Sequence, residues 1–123
     1  DGANNPDGAR HLASRLKEQL SQNRNSKLIL VLGILADKDY QQMIEILTPL
    51  ASAVIATQST SPRSAPAEDI AAKVSSLGIP VHTIRLVTSA VQKALELATP
   101  DDIVVLTGSF YTLGELDRSK ALA

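Results

Sequence analysis

The sequence predicts an α/β domain of the Rossmann-like, three-layer kind, with a mostly parallel sheet and a first strand that is truncated or missing. Two observations predict it. Aliphatic runs bounded by turn residues alternate with apolar stripes at helical spacing, and strands alternating with helices of about 10–15 residues imply right-handed crossovers and parallel pairing. The length of 123 residues fits one domain, and a 44% apolar content is enough for a packed core. Aromatic residues make up only 2%, so aliphatic side chains must fill that core.

The elements follow in order. From Pro6 to about Ser21, Ala9, Leu12, Ala13, Leu16 and Leu20 recur at helical spacing. Asn5 is placed to cap this helix, and Pro6 suits its first turn because proline lacks the donor that would be orphaned there. Leu28-Ile29-Leu30-Val31-Leu32 is a continuous aliphatic run, the pattern of a strand buried on both faces, with Gly33 ending it. Tyr40, Met43, Ile44, Leu47 and Leu50 form the second helical stripe, and Ala53 to Thr57 the second strand. A Ser- and Pro-rich loop, Gln58 to Ala65, leads to a helix carrying Ala67, Ile70, Ala71, Val74 and Leu77, which Gly78 and Pro80 stop. Val81 to Ile84 reads as the third strand and Val87, Val91, Ala94, Leu95 and Ala98 as the fourth stripe. Ile103-Val104-Val105-Leu106 is the last strand, after which Gly108-Ser109 is expected to open a short helical segment. A helix capped at Asn5 would normally follow a strand, which places that strand upstream. The first residue, Asp1, is not Met, so the chain reads as trimmed or as a piece of a longer protein.

Composition excludes several functions. Twelve Lys and Arg against thirteen Asp and Glu leave a charge of −1, without the basic face that nucleic acid or an anionic membrane requires. The few aromatics offer no base-stacking platform. With no cysteine there is no disulfide, thiolate metal site or cysteine nucleophile. No apolar run approaches the length of a membrane span and no signal peptide is evident, so a cytoplasmic location is expected. Dinucleotide, phosphate-loop and nucleophile-elbow motifs are all absent. His11 falls on a helix and His82 on a strand without adjacent ligand partners, so neither is assigned to a metal.

Chemistry in such a sheet belongs at the carboxyl ends of the strands, where loops meet helix N-termini. The segments there are Asp1–Asn5, Gly33–Asp39, Gln58–Ser64, Arg85–Ser89 and Thr107–Tyr111. Lys38, Arg63 and the Thr107-Gly108-Ser109 turn offer two cations, a hydroxyl and exposed amides, a set suited to a dicarboxylate such as glutamate. Each also has a plainer reading: a solvated turn with local ion pairing for Lys38, a surface loop for Arg63, and an ordinary strand-to-helix turn for Ser109.

Taken jointly, these loops carry a resemblance. Asp1-Gly2-Ala3-Asn4-Asn5-Pro6-Asp7-Gly8-Ala9, Val31-Leu32-Gly33-Ile34-Leu35-Ala36-Asp37-Lys38-Asp39-Tyr40, Ser61-Pro62-Arg63 and Thr107-Gly108-Ser109-Phe110-Tyr111 occur in one order. The chain resembles the C-terminal domain of the bacterial folylpolyglutamate synthase/dihydrofolate synthase family, relatives of the Mur peptidoglycan ligases. The likeness runs from Asp1 to about Arg118, and the Leu-Gly-Ile-Leu-Ala-Asp-Lys-Asp-Tyr string is its most specific part.

The resemblance implies a single domain over residues 1–123, the C-terminal glutamate-ligase domain of a larger ADP-forming amide ligase. That family joins L-glutamate to folate or dihydropteroate and splits ATP. It holds ATP and magnesium mainly on a larger N-terminal domain, and the domain seen here closes over the reacting groups. By the same resemblance Asp1, Asn4 and Asn5 contact ATP, and Lys38, Arg63 and Ser109 contact glutamate. Neither a catalytic residue nor a metal ligand is implied in this chain, and the isolated domain is expected to be inactive. The family pattern is Asp-Gly-Ala-His-Asn-Pro, so Asn4 stands where a histidine is usual; asparagine can donate a hydrogen bond but cannot titrate or stack as imidazole does. The alternatives are another Mur-type amino-acid ligase domain and a non-catalytic α/β binding module.

Overall fold

The structure, a computed structural model, describes residues 5–36 and 39–108. It follows the expected alternation: α1 (Pro6–Ser21), β1 (Leu28–Gly33), α2 (Tyr40–Leu47), a 3-10 turn (Thr48–Leu50), β2 (Ala53–Ala56), α3 (Ala67–Ser76), β3 (Val81–Thr83), α4 (Val87–Leu97) and β4 (Ile103–Gly108). The four strands are all parallel, in the order β3-β2-β1-β4. The three-layer, Rossmann-like expectation holds.

Alternation of side chains along β1 builds two cores. Leu28, Leu30 and Leu32 face one way, onto Ala9, Leu12 and Leu16 of α1, Met43, Ile44 and Leu47 of α2, and Ile70, Ala71 and Val74 of α3. Ile29 and Val31 face the other way, onto Ala90 and Ala94 of α4. All six residues of β1 are buried, as the unbroken aliphatic run predicts. Three helices therefore cover one face and α4 the other, where its two alanines, one turn apart, let the helix backbone sit close to the sheet.

Local chemistry sets most element ends. Asn5 is extended, and its Oδ1 accepts from the Gly8 amide at 2.7 Å, the cap expected ahead of Pro6. The second stripe passes into a 3-10 turn after Leu47 rather than staying α-helical to Leu50, because Pro49 has no N–H to give to the preceding turn. Gly78 takes φ 81°, and its amide and that of Ile79 donate to Ser75 O and Val74 O at 3.0 and 3.5 Å, which closes α3 in a Schellman motif. Strand β4 runs beyond the expected Leu106 to Gly108, which pairs in register with Gly33, because β1 supplies a full-length neighbour on which the strand continues. The helical segment expected from Gly108-Ser109 onward falls outside the described residues. Ser109 and the residues after it lie outside the described residues, as does any strand ahead of α1.

Candidate functional site at the carboxyl edge of the sheet

The strand order reverses between β1 and β4, whose carboxyl ends, Gly33 and Gly108, lie side by side. The loops that leave this edge are tied to one another rather than running free. After β1 the chain continues through buried Ile34 and Leu35, and Leu35 forms an antiparallel bridge with Ser64 from the loop after β2. The Ala36 amide donates to Arg63 O at 2.7 Å, and the Ala65 amide to Ile34 O at 2.9 Å. The β1–α2 and β2–α3 loops thus run together as a short two-stranded ribbon.

Within the second loop, Ser61-Pro62-Arg63-Ser64 is a β-turn, closed by the Ser64 amide donating to Ser61 O at 3.1 Å, with Pro62 in the position where its fixed φ is favoured. The Arg63 amide donates to Ser61 Oγ at 3.1 Å, and the hydroxyls of Ser59 and Ser64 share a short hydrogen bond across the loop. Arg63 is exposed at the tip of this turn, its backbone fixed on both sides.

The third loop joins the same assembly. Arg85 O, just after β3, accepts from buried Thr57 through its hydroxyl at 3.0 Å and from the Gln58 amide at 3.2 Å. Gln58 Oε1 in turn accepts from the Ala67 amide at 2.8 Å, at the start of α3. The Arg85 guanidinium holds Glu68, in the first turn of that helix, through Nε and Nη2, both 2.6 Å from Oε2. The Glu68 backbone amide first, and Arg85 second, keep its carboxyl below the usual glutamate range.

The N-terminus of α1 reaches this edge from the helical layer. Arg10 pairs with Asp7 at 2.8 Å. Gln42, with its amide turned to suit both neighbours, donates to Asp39 Oδ2 at 2.7 Å and accepts from Arg10 at 2.8 Å. The first turns of α1 are thereby bound to Asp39, the N-cap residue of α2, at the far end of the β1–α2 loop.

Two of the six expected site residues are therefore placed, Asn5 and Arg63, and both belong to elements that flank the β1–α2 loop. Asp1, Asn4, Lys38 and Ser109 lie outside the described residues. Sequence reasoning picked out the segments around Gln58 and Arg85 but not these residues, since their partners lie nine and seventeen positions away. One signal was available. Helix α3 opens after Pro66, which has no side-chain acceptor, so its first amides needed a partner from elsewhere.

Among the described residues no three His, Cys, Asp or Glu side chains gather as a metal site would require, and no helix is long and apolar enough to cross a membrane.

Residues 1–110 match the glutamate ligase domain of the Mur ligases. The chain belongs to that family. It is 37% identical over 115 residues to the folylpolyglutamate synthase of Lacticaseibacillus casei, covering 90% of this chain and 24% of that protein. Among solved structures, E. coli FolC in complex with DHPP and ADP superposes with a TM-score of 0.87 at 25% identity, over 99% of this chain and 28% of that one. A bifunctional folylpolyglutamate synthase/dihydrofolate synthase with Mn, AMPPNP and L-glutamate bound superposes at 0.86 with 26% identity, over 98% of this chain and 28% of its own. The chain spans about a quarter of the length of these relatives, and it is the Mur ligase C domain of folylpolyglutamate synthase-like ligases.

Proposed function

We propose that this domain is the closing, amino-acid-binding part of an ADP-forming amide ligase, acting in the cytoplasm, that adds L-glutamate to folate or dihydropteroate. In this reading residues 1–123 are the C-terminal domain of a larger protein whose N-terminal ATPase domain holds most of the ATP and magnesium. The relatives bound to ADP, AMPPNP, Mn and L-glutamate support the substrate set.

One observation carries the reading. The 2.7 Å bond from the Ala36 amide to Arg63 O ties the Arg63 turn to the loop that runs on to Lys38. A guanidinium and an ammonium on joined loops suit the two carboxylates of glutamate, and the planar fork of Arg63 matches one of them in a bidentate pair. Ser109 follows Gly108 directly in sequence and is assigned to the same ligand. Asp1, Asn4 and Asn5 are assigned to the nucleotide. Asn5 Oδ1 is committed to the Gly8 amide, which leaves its Nδ2 as the group to meet a ligand. Magnesium is assigned to the other domain, as the family resemblance implies.

ATP, when bound, supplies the phosphoryl group that activates the acceptor carboxylate. The work of this chain is positioning. Holding the glutamate amine against the activated carbon removes an entropic barrier on the order of several kcal/mol. Swinging the domain shut excludes the water that would compete with the amine. Neutral amino acids are refused because they leave the cations unpaired.

The test is steady-state kinetics of the intact ligase. ADP release is expected to require glutamate together with folate or dihydropteroate. Arg63→Ala is expected to raise the glutamate KM about tenfold, the cost of a lost charge-assisted hydrogen bond, with the ATP KM unchanged. An unchanged glutamate KM rejects the assignment of Arg63. ADP release driven by a different amino acid alone turns the reading to another Mur-type ligase.

A further inference from the structure

We infer that Gln58 is a positioning residue for amino-acid recognition, acting through Arg63; the inference rests on the glutamate-binding role proposed for that arginine. Gln58 begins the loop that carries Arg63, and its side chain returns to the loop's far end. Its Oε1 accepts from the Ala67 amide at 2.8 Å, closing the segment between them like a clasp. The residue is fixed at its own root as well, since its amide donates to Arg85 O at 3.2 Å, the same carbonyl that Thr57 Oγ1 holds at 3.0 Å.

Pro66 caps α3 without a side-chain acceptor, so the Ala67 amide, on a fully buried residue, has Gln58 as its side-chain partner at the helix start. Removing that acceptor leaves an orphaned donor and releases the end of the loop together. Between the clasped ends, the contacts of the chain include the Ser59–Ser64 hydroxyl bond, the turn from Ser61 to Ser64 and the ribbon to Ile34, Leu35 and Ala36. All of them are made with the loop closed by Gln58. Loss of the clasp is therefore expected to loosen the tip, where the Arg63 guanidinium has to meet a carboxylate within a few tenths of an ångström to keep a bidentate fit.

The experiment compares Gln58→Met, which keeps the length and volume but loses the acceptor, with Gln58→Glu, which keeps an acceptor aimed at a helix N-terminus that favours negative charge. Amide hydrogen exchange on the 123-residue chain reads the clasp directly. Gln58→Met is expected to speed exchange at Ala67 and at Ala36, whose amide bonds to Arg63 O, while the sheet amides of β1 keep their rates; Gln58→Glu is expected to retain the slow rates. In the intact ligase, Gln58→Met is expected to raise the glutamate KM three- to tenfold, roughly the worth of one hydrogen bond, with the ATP KM and kcat held, and Gln58→Glu to restore it. In the Arg63→Ala background, Gln58→Met should add little.

Unchanged exchange at Ala36, or a glutamate KM that Gln58→Met leaves alone while Arg63→Ala raises it, overturns the positioning role and leaves the arginine's role standing. A rise with Gln58→Met that persists in full on top of Arg63→Ala also overturns it, since Gln58 would then act by another route. If Arg63→Ala itself has no effect on glutamate, the underlying reading fails instead.

Discussion

The two edges of the sheet are closed in different ways. At the amino edge most joints run between adjoining backbone segments. The Ser52 amide donates to Leu28 O at 2.8 Å, Ile103 to Lys27 O at 2.8 Å and Val54 to Pro80 O at 2.9 Å. Asp102 clips the turn after α4 to the start of β1, accepting from the Lys27 and Thr99 amides at 3.0 and 2.9 Å. At the carboxyl edge the loop after β2 is long, and beside the backbone bonds of its ribbon with the β1–α2 loop it is held by side chains: Thr57 onto Arg85 O, Gln58 onto the Ala67 amide, Ser59 onto Ser64 within the loop, and Arg85 onto Glu68. The first edge fixes the register of the strands. The second holds exposed cations on a scaffold that can be adjusted one side chain at a time, the arrangement expected where a ligand is gripped.

The comparison first needs a common baseline, and the largest expected effect supplies it. Leu30 is fully buried in the middle of β1, beneath both edges. Leu30→Ala should cost about 3 kcal/mol in urea unfolding, the usual loss for a buried leucine with its cavity. Amides at both edges should lose exchange protection together. If one edge loosens alone, the edges are separate cooperative units, and the contrast between them is one of stability as well as of chemistry.

A crossed pair of substitutions then sharpens the contrast. Arg63→Ala should lower stability by no more than about 1 kcal/mol, as expected for an exposed side chain, while glutamate recognition suffers. Asp102→Ala should do the reverse, lowering the midpoint of urea unfolding and leaving the glutamate KM of the intact ligase unchanged. A shift in KM from Asp102→Ala would mean that the amino edge reaches the site through the sheet.

Acid tests the same pair of edges. Backbone N–H bonds from Thr99 and then Lys27 hold the Asp102 carboxyl below the usual aspartate range, so its ionised form is favoured in the fold. The stability this contributes is fully present above the ordinary aspartate pKa near 4 and is lost as pH falls through the lower folded value. Glu68 at the opposite edge has the same sign. Urea midpoints measured from pH 6 down to pH 2 should fall in this window, and Asp102→Asn should flatten part of that fall.

Legibility in the sequence follows the same division. What depends on neighbours along the chain was readable: Asn5 as a cap ahead of Pro6, the aliphatic run of β1, Gly78 as the end of α3, and the family likeness in the loop strings. What depends on pairing was not. Thr107-Gly108-Ser109 has the composition of a turn, yet Gly108 stays in β4 because Gly33 lies beside it. Arg63 was legible as a cation in a Ser-Pro turn, but its joining to Ala36 comes from a ribbon between two loops that no local pattern announces. Gln58 carries no turn or capping signature of its own, and only the missing cap at Pro66 pointed to it.

The smallest expected effect asks whether the helical layer supports the carboxyl edge. Lys73 of α3 bonds Glu45 of α2 at 2.6 Å, with side chains 24% and 52% exposed, on the outer side of the layer and away from both edges. A pair so open to water is worth about 0.5 kcal/mol or less, and salt should erase most of it. Lys73→Ala is therefore expected to shift the urea midpoint slightly in low salt, and less in 1 M salt, with exchange at Ala36 and Ala67 unaffected. Faster exchange at those two amides would show that the spacing of α2 and α3 sets the loops. The cations would then be steered from the helices behind them, and the side-chain links between the loops would follow that spacing instead of fixing it.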